Sequence, residues 1–183
     1  MKFRPTAIPG AVVIDLERRH DGRGSFARFF CQDEFASQQL PANFVQGSLS
    51  HNASRGTLRG MHLQLGPMPE EKLVRCTRGR VYDVVLDLRR NSDTHKQWAA
   101  FELDAESGRA IFIPAGCAHG FLTLEPDTEL HYLMTVRYDA NHQHGARWND
   151  PVFAIDWPFQ PIVIGERDRN FPDYTNPLPE VGR

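Results

Sequence analysis

The chain has 183 residues, of which 40% are hydrophobic and 24% charged, and its formal net charge is -2. This length and composition are typical of one globular domain with its own core. A near-neutral charge argues against nucleic acid as the main partner, because phosphate binding favours a basic excess. No apolar run approaches the roughly 20 residues that a membrane span needs, so no membrane partner is expected.

The start of the chain and its cysteines indicate a cytoplasmic protein. The first ten residues, "MKFRPTAIPG", lack the apolar stretch of a signal peptide. Cys31, Cys76 and Cys117 are odd in number and widely spaced, so they favour neither a disulfide framework nor a zinc knuckle. Reduced, structural thiols in the cytoplasm are the simplest interpretation.

The first element with a helical pattern is "CQDEFASQQL", residues 31–40. It predicts one or two helical turns, with Asp33 as the cap and with Phe35 and Leu40 packed inward. Elsewhere, short runs of Val, Ile, Leu, Phe and Tyr are separated by glycine and proline, which is typical of strands separated by turns.

The run "GTLRGMHLQ", residues 56–64, places an arginine and a histidine in an otherwise apolar strand. Strict alternation would point Arg59 and His62 to opposite faces. Gly60 lies between them, and a glycine inside a strand often marks a β-bulge, which would turn both side chains into one cavity. The alternative is that Arg59 lies at a sheet edge and that His62 is a hydrogen-bonded core residue.

The next strand begins at Lys72, which shares a face with Val74. A lysine that points inward is costly to bury without a partner. Lys72 is therefore either functional or extended along the strand end into solvent.

The run from Val81 to Leu88 alternates most clearly and predicts a strand. Tyr82 and Val84 share one face, and Asp83 lies on the other, which in a barrel strand is the pocket side. Asp83 therefore either hydrogen-bonds a pocket histidine or is solvated.

Two further strands and an arm complete the pattern. "RAIFIPAG" predicts a strand that ends at Pro114, and "TELHYLMTVRY" predicts a strand with Leu130, Tyr132 and Met134 on one face. The proline- and aromatic-rich segment from about residue 148 reads as an extended arm. Many short strands with few short helices predict an all-β sandwich or jelly roll, in a single domain that spans residues 1–183.

The segment "IPAGCAHGF", with Pro114, Gly116 and His119, resembles the second motif of the cupin superfamily, whose fold is a double-stranded β-helix, or jelly roll. In metal-binding cupins that histidine is a ligand, and a partner motif supplies H-x-H. Here the matching place reads His62-Leu63-Gln64, which is a poor transition-metal site. We therefore expect neither a metal nor another cofactor, with a metal-dependent cupin enzyme as the rival hypothesis.

Six segments, taken together, resemble one cupin-fold family, the dTDP-4-dehydrorhamnose 3,5-epimerases, from about residue 5 to about residue 174. In chain order they are "DGRGSF", "TLRGMHLQ", "KLVRCTRGRVYDVVLDLR", "IPAGCAHGFLTL", "RWNDPVFAIDWP" and "ERDRNFPDY". The resemblance implies a metal-free isomerase that converts dTDP-4-dehydro-6-deoxyglucose to dTDP-4-dehydrorhamnose for surface polysaccharide. It also implies a homodimer in which N-terminal strands cross between subunits.

The resemblance assigns catalytic roles by position. It makes His62 the base, Asp168 the group that orients it, Tyr132 the acid on the opposite face, and Lys72 the cation near the enolate oxygen. The implied substrate-binding residues are Arg23 and Arg59 at the diphosphate, Phe26 and Gln46 at the nucleotide and sugar, His119 as a hydrogen bonder, and Tyr138.

Three departures from the family pattern concern the substrate. Arg28 stands where many relatives have glutamate, and Ser48 stands where they often have asparagine. Arg137 and Tyr138 fall where relatives have the aromatic residues that stack on thymine. These differences leave open an epimerase that acts at a single centre of another nucleotide-linked 4-keto-6-deoxy sugar.

Overall fold

The computed structural model describes residues 1–67 and 69–174, and β-strands dominate this part of the chain. The strands are β1 (Lys2–Pro5), β2 (Val12–Asp15), β3 (Arg19–Asp21), β4 (Gly24–Phe26), β5 (Gln46–Asn52), β6 (Thr57–Gln64), β7 (Lys72–Arg78), β8 (Arg80–Asp87), β9 (Trp98–Asp104), β10 (Ala110–Ile113), β11 (Cys117–Thr123), β12 (Thr128–Met134), β13 (Gln143–Gly145) and β14 (Val163–Ile164). The α-helices are α1 (Gln32–Ser37) and α2 (Glu166–Arg169), and a 3-10 turn covers Ala140–His142. Within these described ranges, no helix has the length and apolar character that a membrane span requires.

Two sheets face each other across the core. The first has the strand order β1-β2-β10-β7-β12-β5, and the second has the order β13-β6-β11-β8-β9. Neighbouring strands within these orders are antiparallel, and β14 adds a short parallel pairing to β6. The prediction of an all-β jelly roll with few short helices is confirmed.

The apolar core between the sheets follows from strand alternation. Val74 and Leu130 come from the first sheet, and Val81, Val85 and Phe121 come from the second, all of them at most 1% exposed. Because neighbours in a strand point to opposite faces, every second residue of these strands enters the same interior. The faces predicted for Val81–Leu88 and for Leu130, Tyr132 and Met134 are therefore correct.

The outer face of each sheet is also covered. Phe35 of α1 is fully buried against the first sheet, and Leu40 packs beside it. The helix begins at its N-cap Cys31, and no side chain caps it. The predicted cap at Asp33 was wrong, because the helix starts early enough to place Asp33 in its first turn.

The C-terminal segment covers the outer face of the second sheet. Phe153, Ile155 and Trp157 pack there against Val84 and Leu86. This packing holds the part of the predicted arm that ends at Tyr174, and residues 175–183 of that arm lie outside the described residues.

Candidate active site

A β-bulge in β6 brings Arg59 and His62 to one face. In the pairing with β11, His62 lies opposite His119, and Arg59 lies opposite Phe121. His119 and Phe121 are two residues apart and share a face, so their partners share it too. Two residues of β6 therefore oppose the single residue between His119 and Phe121, as in a β-bulge. The bulge prediction is confirmed.

Glycine is required at this bulge for two reasons. Gly60 has a φ of +140°, a conformation that side chains with a Cβ rarely adopt. A Cβ on Gly60 would also lie 2.5 Å from the Cα of Gly120 on the neighbouring strand. The sequence thus carries glycine where two backbones approach closely, and the two functional side chains flank that point.

His62 is paired with Asp168. The Nε2 atom of His62 lies 2.6 Å from Oδ1 of Asp168, and the N–H of Gly60 donates to Oδ2 at 3.0 Å. Asp168 lies on α2, which follows β14 in the chain. Strand β14 in turn pairs with the start of β6. The Asp168 carboxylate therefore holds both the bulge, through Gly60, and the imidazole of His62.

The protonation of this pair follows from its contacts. Burial alone would raise the pKa of the Asp168 carboxyl, but the hydrogen bonds from His62 and Gly60 and the positive charge of Arg167 hold it below its usual range. An ionised carboxylate is acceptor-only, so Nε2 of His62 carries the proton. Nδ1 of a neutral His62 then presents a lone pair, as a general base requires.

His119 has its own carboxylate. Its Nε2 atom lies 2.7 Å from Oδ2 of Asp83, and the two side chains are 5% and 0% exposed. Of the two interpretations of Asp83, hydrogen bonding to a pocket histidine is the correct one. The other oxygen of Asp83 is buried with no hydrogen-bond partner among the described residues.

Tyr132 faces His119 from the first sheet. The Tyr132 ring meets the His119 ring edge-on, with centroids 5.9 Å apart. Burial raises the pKa of Tyr132 well above its usual value, the Asp83 carboxylate raises it further, and the charge of Arg59 opposes this. Tyr132 therefore keeps its proton at neutral pH and has it available to donate.

Lys72 is largely shielded and ion-paired rather than extended into solvent. Its ammonium contacts the Glu70 carboxylate, and the two side chains are 12% and 11% exposed. Lys72 lies opposite Met134 in β12, so it shares the inner face with Tyr132. A cation therefore lies on the same inner face of the sheet as the phenol.

Arg59 is held by an amide. Its Nε donates to Oδ1 of Asn52 at 2.9 Å, while Nδ2 of Asn52 donates to the carbonyls of Ser50 and Thr128. Asn52 is 2% exposed, whereas Arg59 is exposed. The guanidinium is thus fixed through Nε, and its terminal nitrogens are donors of the kind that bind an anion.

Two predicted binding residues lie apart from this cluster. The side-chain contacts of Arg23 within the described residues are with Asp21 of its own β3–β4 hairpin, and Phe26 is 76% exposed. By contrast, Gln46 and Tyr138 are joined, because the N–H of Tyr138 donates to Oε1 of Gln46 at 3.0 Å. Among the described residues, contacts thus join His62 with Asp168, His119 with Tyr132, and Gln46 with Tyr138, and neither Arg23 nor Phe26 belongs to any of these pairs.

The family model of dTDP-4-dehydrorhamnose 3,5-epimerases matches residues 5–176. The chain belongs to this family. A dTDP-4-dehydrorhamnose 3,5-epimerase of Sinorhizobium fredii is 39% identical over 173 residues, which are 94% of this chain and 89% of the relative. The family assignment also makes the chain an isomerase with a cupin-type fold.

Two other members bear on the substrate. The dTDP-4-dehydrorhamnose 3-epimerase of Streptomyces niveus is 38% identical, over 93% of this chain and 82% of the relative. The crystal structure of the Bacillus anthracis 3,5-epimerase, with TDP and PPi bound, superposes with a TM-score of 0.91 at 35% identity, covering 94% of this chain and 98% of that one.

Sequence reasoning missed three partners of the candidate site residues: Asn52 behind Arg59, Glu70 as the ion-pair partner of Lys72, and Gln64, which holds the backbone on both sides of Tyr138. Asn52 and Gln64 are polar side chains at core-facing positions of strands, and such residues need partners when buried. That signal was present at Gln64, on the same face as His62. Within residues 1–67 and 69–174, no group of three His, Cys, Asp or Glu side chains is placed to hold a metal ion.

Proposed function

We propose that this epimerase converts dTDP-4-dehydro-6-deoxyglucose to dTDP-4-dehydrorhamnose by inverting C3 and C5, without a metal, in the dTDP-rhamnose route to surface polysaccharide. The observation that carries the proposal is the pairing of His62 with Asp168, with the neutral Tyr132 against the ring of the neighbouring His119. This arrangement supplies one group that accepts a proton and another that donates one, which binding alone does not require.

The reaction begins with removal of a proton. The C4 ketone acidifies the C–H bonds at C3 and C5, and His62 accepts the proton through Nδ1 while Asp168 stabilises the resulting imidazolium. The electron pair of the C–H bond moves into the enolate, with its charge on the C4 oxygen. Lys72 stabilises that charge, as a fixed cation does in a site sheltered from water.

Return of the proton completes the inversion. Tyr132 donates its phenolic proton to the same carbon from the opposite face. His62 is then protonated and Tyr132 deprotonated, and exchange with solvent resets both. The raised pKa of Tyr132 supports this role, because the phenol stays protonated until the basic enolate carbon forms.

The remaining residues hold the substrate in this proposal. Arg59 binds the diphosphate, His119 hydrogen-bonds the sugar, and Gln46 and Tyr138 contact the nucleotide. Fixation of Arg59 by Asn52 supports its role, because a preoriented fork loses less freedom on binding phosphate.

The proposal extends to the assembly and its location. We propose a cytoplasmic homodimer in which the β3–β4 hairpin of one chain reaches the site of the other, where Arg23 would meet the diphosphate and Phe26 the nucleotide. Their exposure supports this arrangement, since the Arg23 side chain is 90% exposed and Phe26 is 76% exposed. Burial in a partner would account for a large aromatic side chain left in solvent.

A second candidate is epimerisation at one centre only. The relative named a 3-epimerase, at 38% identity, favours keeping this alternative. Arg28 and Ser48 are the departures that motivate it, and Ser48 lies directly opposite Tyr132 in the β5–β12 pairing. A smaller side chain beside the proposed acid changes the space available to the sugar ring.

Incubation of the enzyme with dTDP-4-dehydro-6-deoxyglucose in deuterated water tests both candidates. Label at C3 and C5, found by NMR, supports the double epimerase, whereas label at one carbon supports the alternative. Absence of label at both C3 and C5 contradicts both candidates. The same reaction after exhaustive chelation tests the metal-dependent rival, which predicts loss of activity.

A further inference from the structure

The side chain of Gln64 makes two hydrogen bonds to the backbone of the segment 137–139. Its Nε2 donates to the carbonyl of Arg137 at 3.0 Å, and its Oε1 accepts from the N–H of Asp139 at 2.8 Å. The residue is 4% exposed. Since one end of the amide meets a carbonyl and the other meets an N–H, its orientation is determined.

Both bonds flank Tyr138, whose own N–H donates to Gln46 at 3.0 Å. Three consecutive backbone residues are therefore held by side chains from two different sheets. Gln64 is in β6, two residues beyond His62, and Gln46 is in β5, two residues from the position opposite Tyr132. The segment 137–139 is thus tied across the strands that carry the proposed base and acid.

The ring of Tyr138 is nevertheless 57% exposed. Two side-chain amides and three hydrogen bonds thus hold the backbone at and beside Tyr138, although its own side chain packs against little. The family resemblance places Tyr138 where relatives have the aromatic residues that stack on thymine, and a rigidly held ring suits that contact, because every base offers a flat face.

We propose that Gln64 is a positioning residue of the nucleobase subsite, because it fixes the backbone on both sides of Tyr138, the residue that the family resemblance places against the pyrimidine of a nucleoside diphosphate sugar. The inference rests on the proposed function and adds to it a residue that touches neither the sugar nor the reacting carbons. It also gives a role to the position at which metal-binding cupins supply a second histidine.

The test is a double-mutant cycle with dTDP as the probe, measured by calorimetry, together with kcat and KM for the keto sugar. Gln64→Met removes both hydrogen bonds at similar volume and should weaken dTDP binding about tenfold and raise KM in parallel. The value of kcat should stay within about twofold, because the proton-transfer groups are unchanged. In a Tyr138→Ala background, Gln64→Met should have little further effect.

Gln64→Glu gives a second readout, which tests the two hydrogen bonds themselves. A protonated carboxyl has one donor and one acceptor and can replace the amide, whereas a carboxylate faces the Arg137 carbonyl without a donor. Affinity relative to wild type should therefore recover as the pH falls from 8 to 5. If Gln64→Met does not fold, the pH dependence of dTDP binding by Gln64→Glu tests the inference instead.

Gln38→Met, an exposed glutamine at the end of α1, is the matched control and should leave affinity unchanged. Equal effects of Gln64→Met with and without Tyr138, or a fall in kcat at constant KM, would overturn the inference while leaving the proposed function intact. A wild-type enzyme that binds no dTDP would overturn both.

Discussion

His62 and His119 lie directly opposite each other in the antiparallel pairing of β6 and β11, and each binds a different carboxylate through Nε2. Their surroundings differ, because the His62 side chain is 34% exposed and that of His119 is 5% exposed. The more accessible imidazole suits a group that exchanges protons with substrate and solvent. The buried one, fixed by Asp83, suits a group that only donates or accepts a hydrogen bond.

Asp168→Asn should reduce kcat by roughly 10²- to 10⁴-fold with little change in KM. An amide that donates to Nε2 of His62 forces the imidazole proton onto Nδ1, which removes the lone pair used as base. An amide turned the other way loses the acceptor for Gly60. Steady-state kinetics with Asp156→Asn, an exposed aspartate, as control measure the effect, and a kcat within tenfold of wild type would refute the role.

Tyr132→Phe should separate proton exchange from inversion. Without the phenolic donor, His62 still removes and returns protons on its own face, so deuterium enters the substrate with retained configuration. Product formation should fall about 10²- to 10⁴-fold, while exchange falls much less. NMR of both processes in one sample checks this, and a parallel loss of the two would show that Tyr132 is needed for proton removal itself.

Asn52→Leu should raise KM about tenfold while kcat changes little, because Arg59 loses the acceptor that orients it. Asn149→Leu is a matched control, since Asn149 accepts from Nε of Arg147 at the same distance of 2.9 Å in the C-terminal segment. Equal kinetics for the two variants would mean that the Asn52 contact does not serve substrate binding.

The three thiols should differ in reactivity. Burial raises the pKa of Cys76 to about 11 and that of Cys117 to about 12, so both are almost entirely protonated at pH 8. Only the thiolate reacts, and iodoacetamide at pH 8 should therefore modify half-buried Cys31 first in the native protein. Peptide mass spectrometry reports the sites, and equal labelling of all three would contradict the described packing.

Much of the fold was predictable because alternation is a local signal. The strand from Val81 to Leu88 shows its two faces in the sequence, and Gly60 between Arg59 and His62 marks the bulge. The cap of α1 was mispredicted because a six-residue helix has weak end signals, and two nearby polar residues, Gln32 and Asp33, follow its true N-cap.

The candidate site was less predictable because its pairs span the chain. His62 and Asp168 are separated by 106 residues, and periodicity carries no information on that contact. Family resemblance placed Asp168, but it did not reveal Asn52, Glu70 or Gln64 as partners. The catalytic roles, the single domain and the homodimer stay predictions.

Solvent deuterium exchange in His62→Asn tests the central claim most directly. The account predicts that label enters C3 and C5 at a rate roughly 10²- to 10⁴-fold below wild type, because it assigns removal of the proton to His62 alone. His51→Asn, which alters an exposed histidine paired with Asp127, should exchange normally. Exchange in His62→Asn at near wild-type rate would contradict the assignment of His62 as the base.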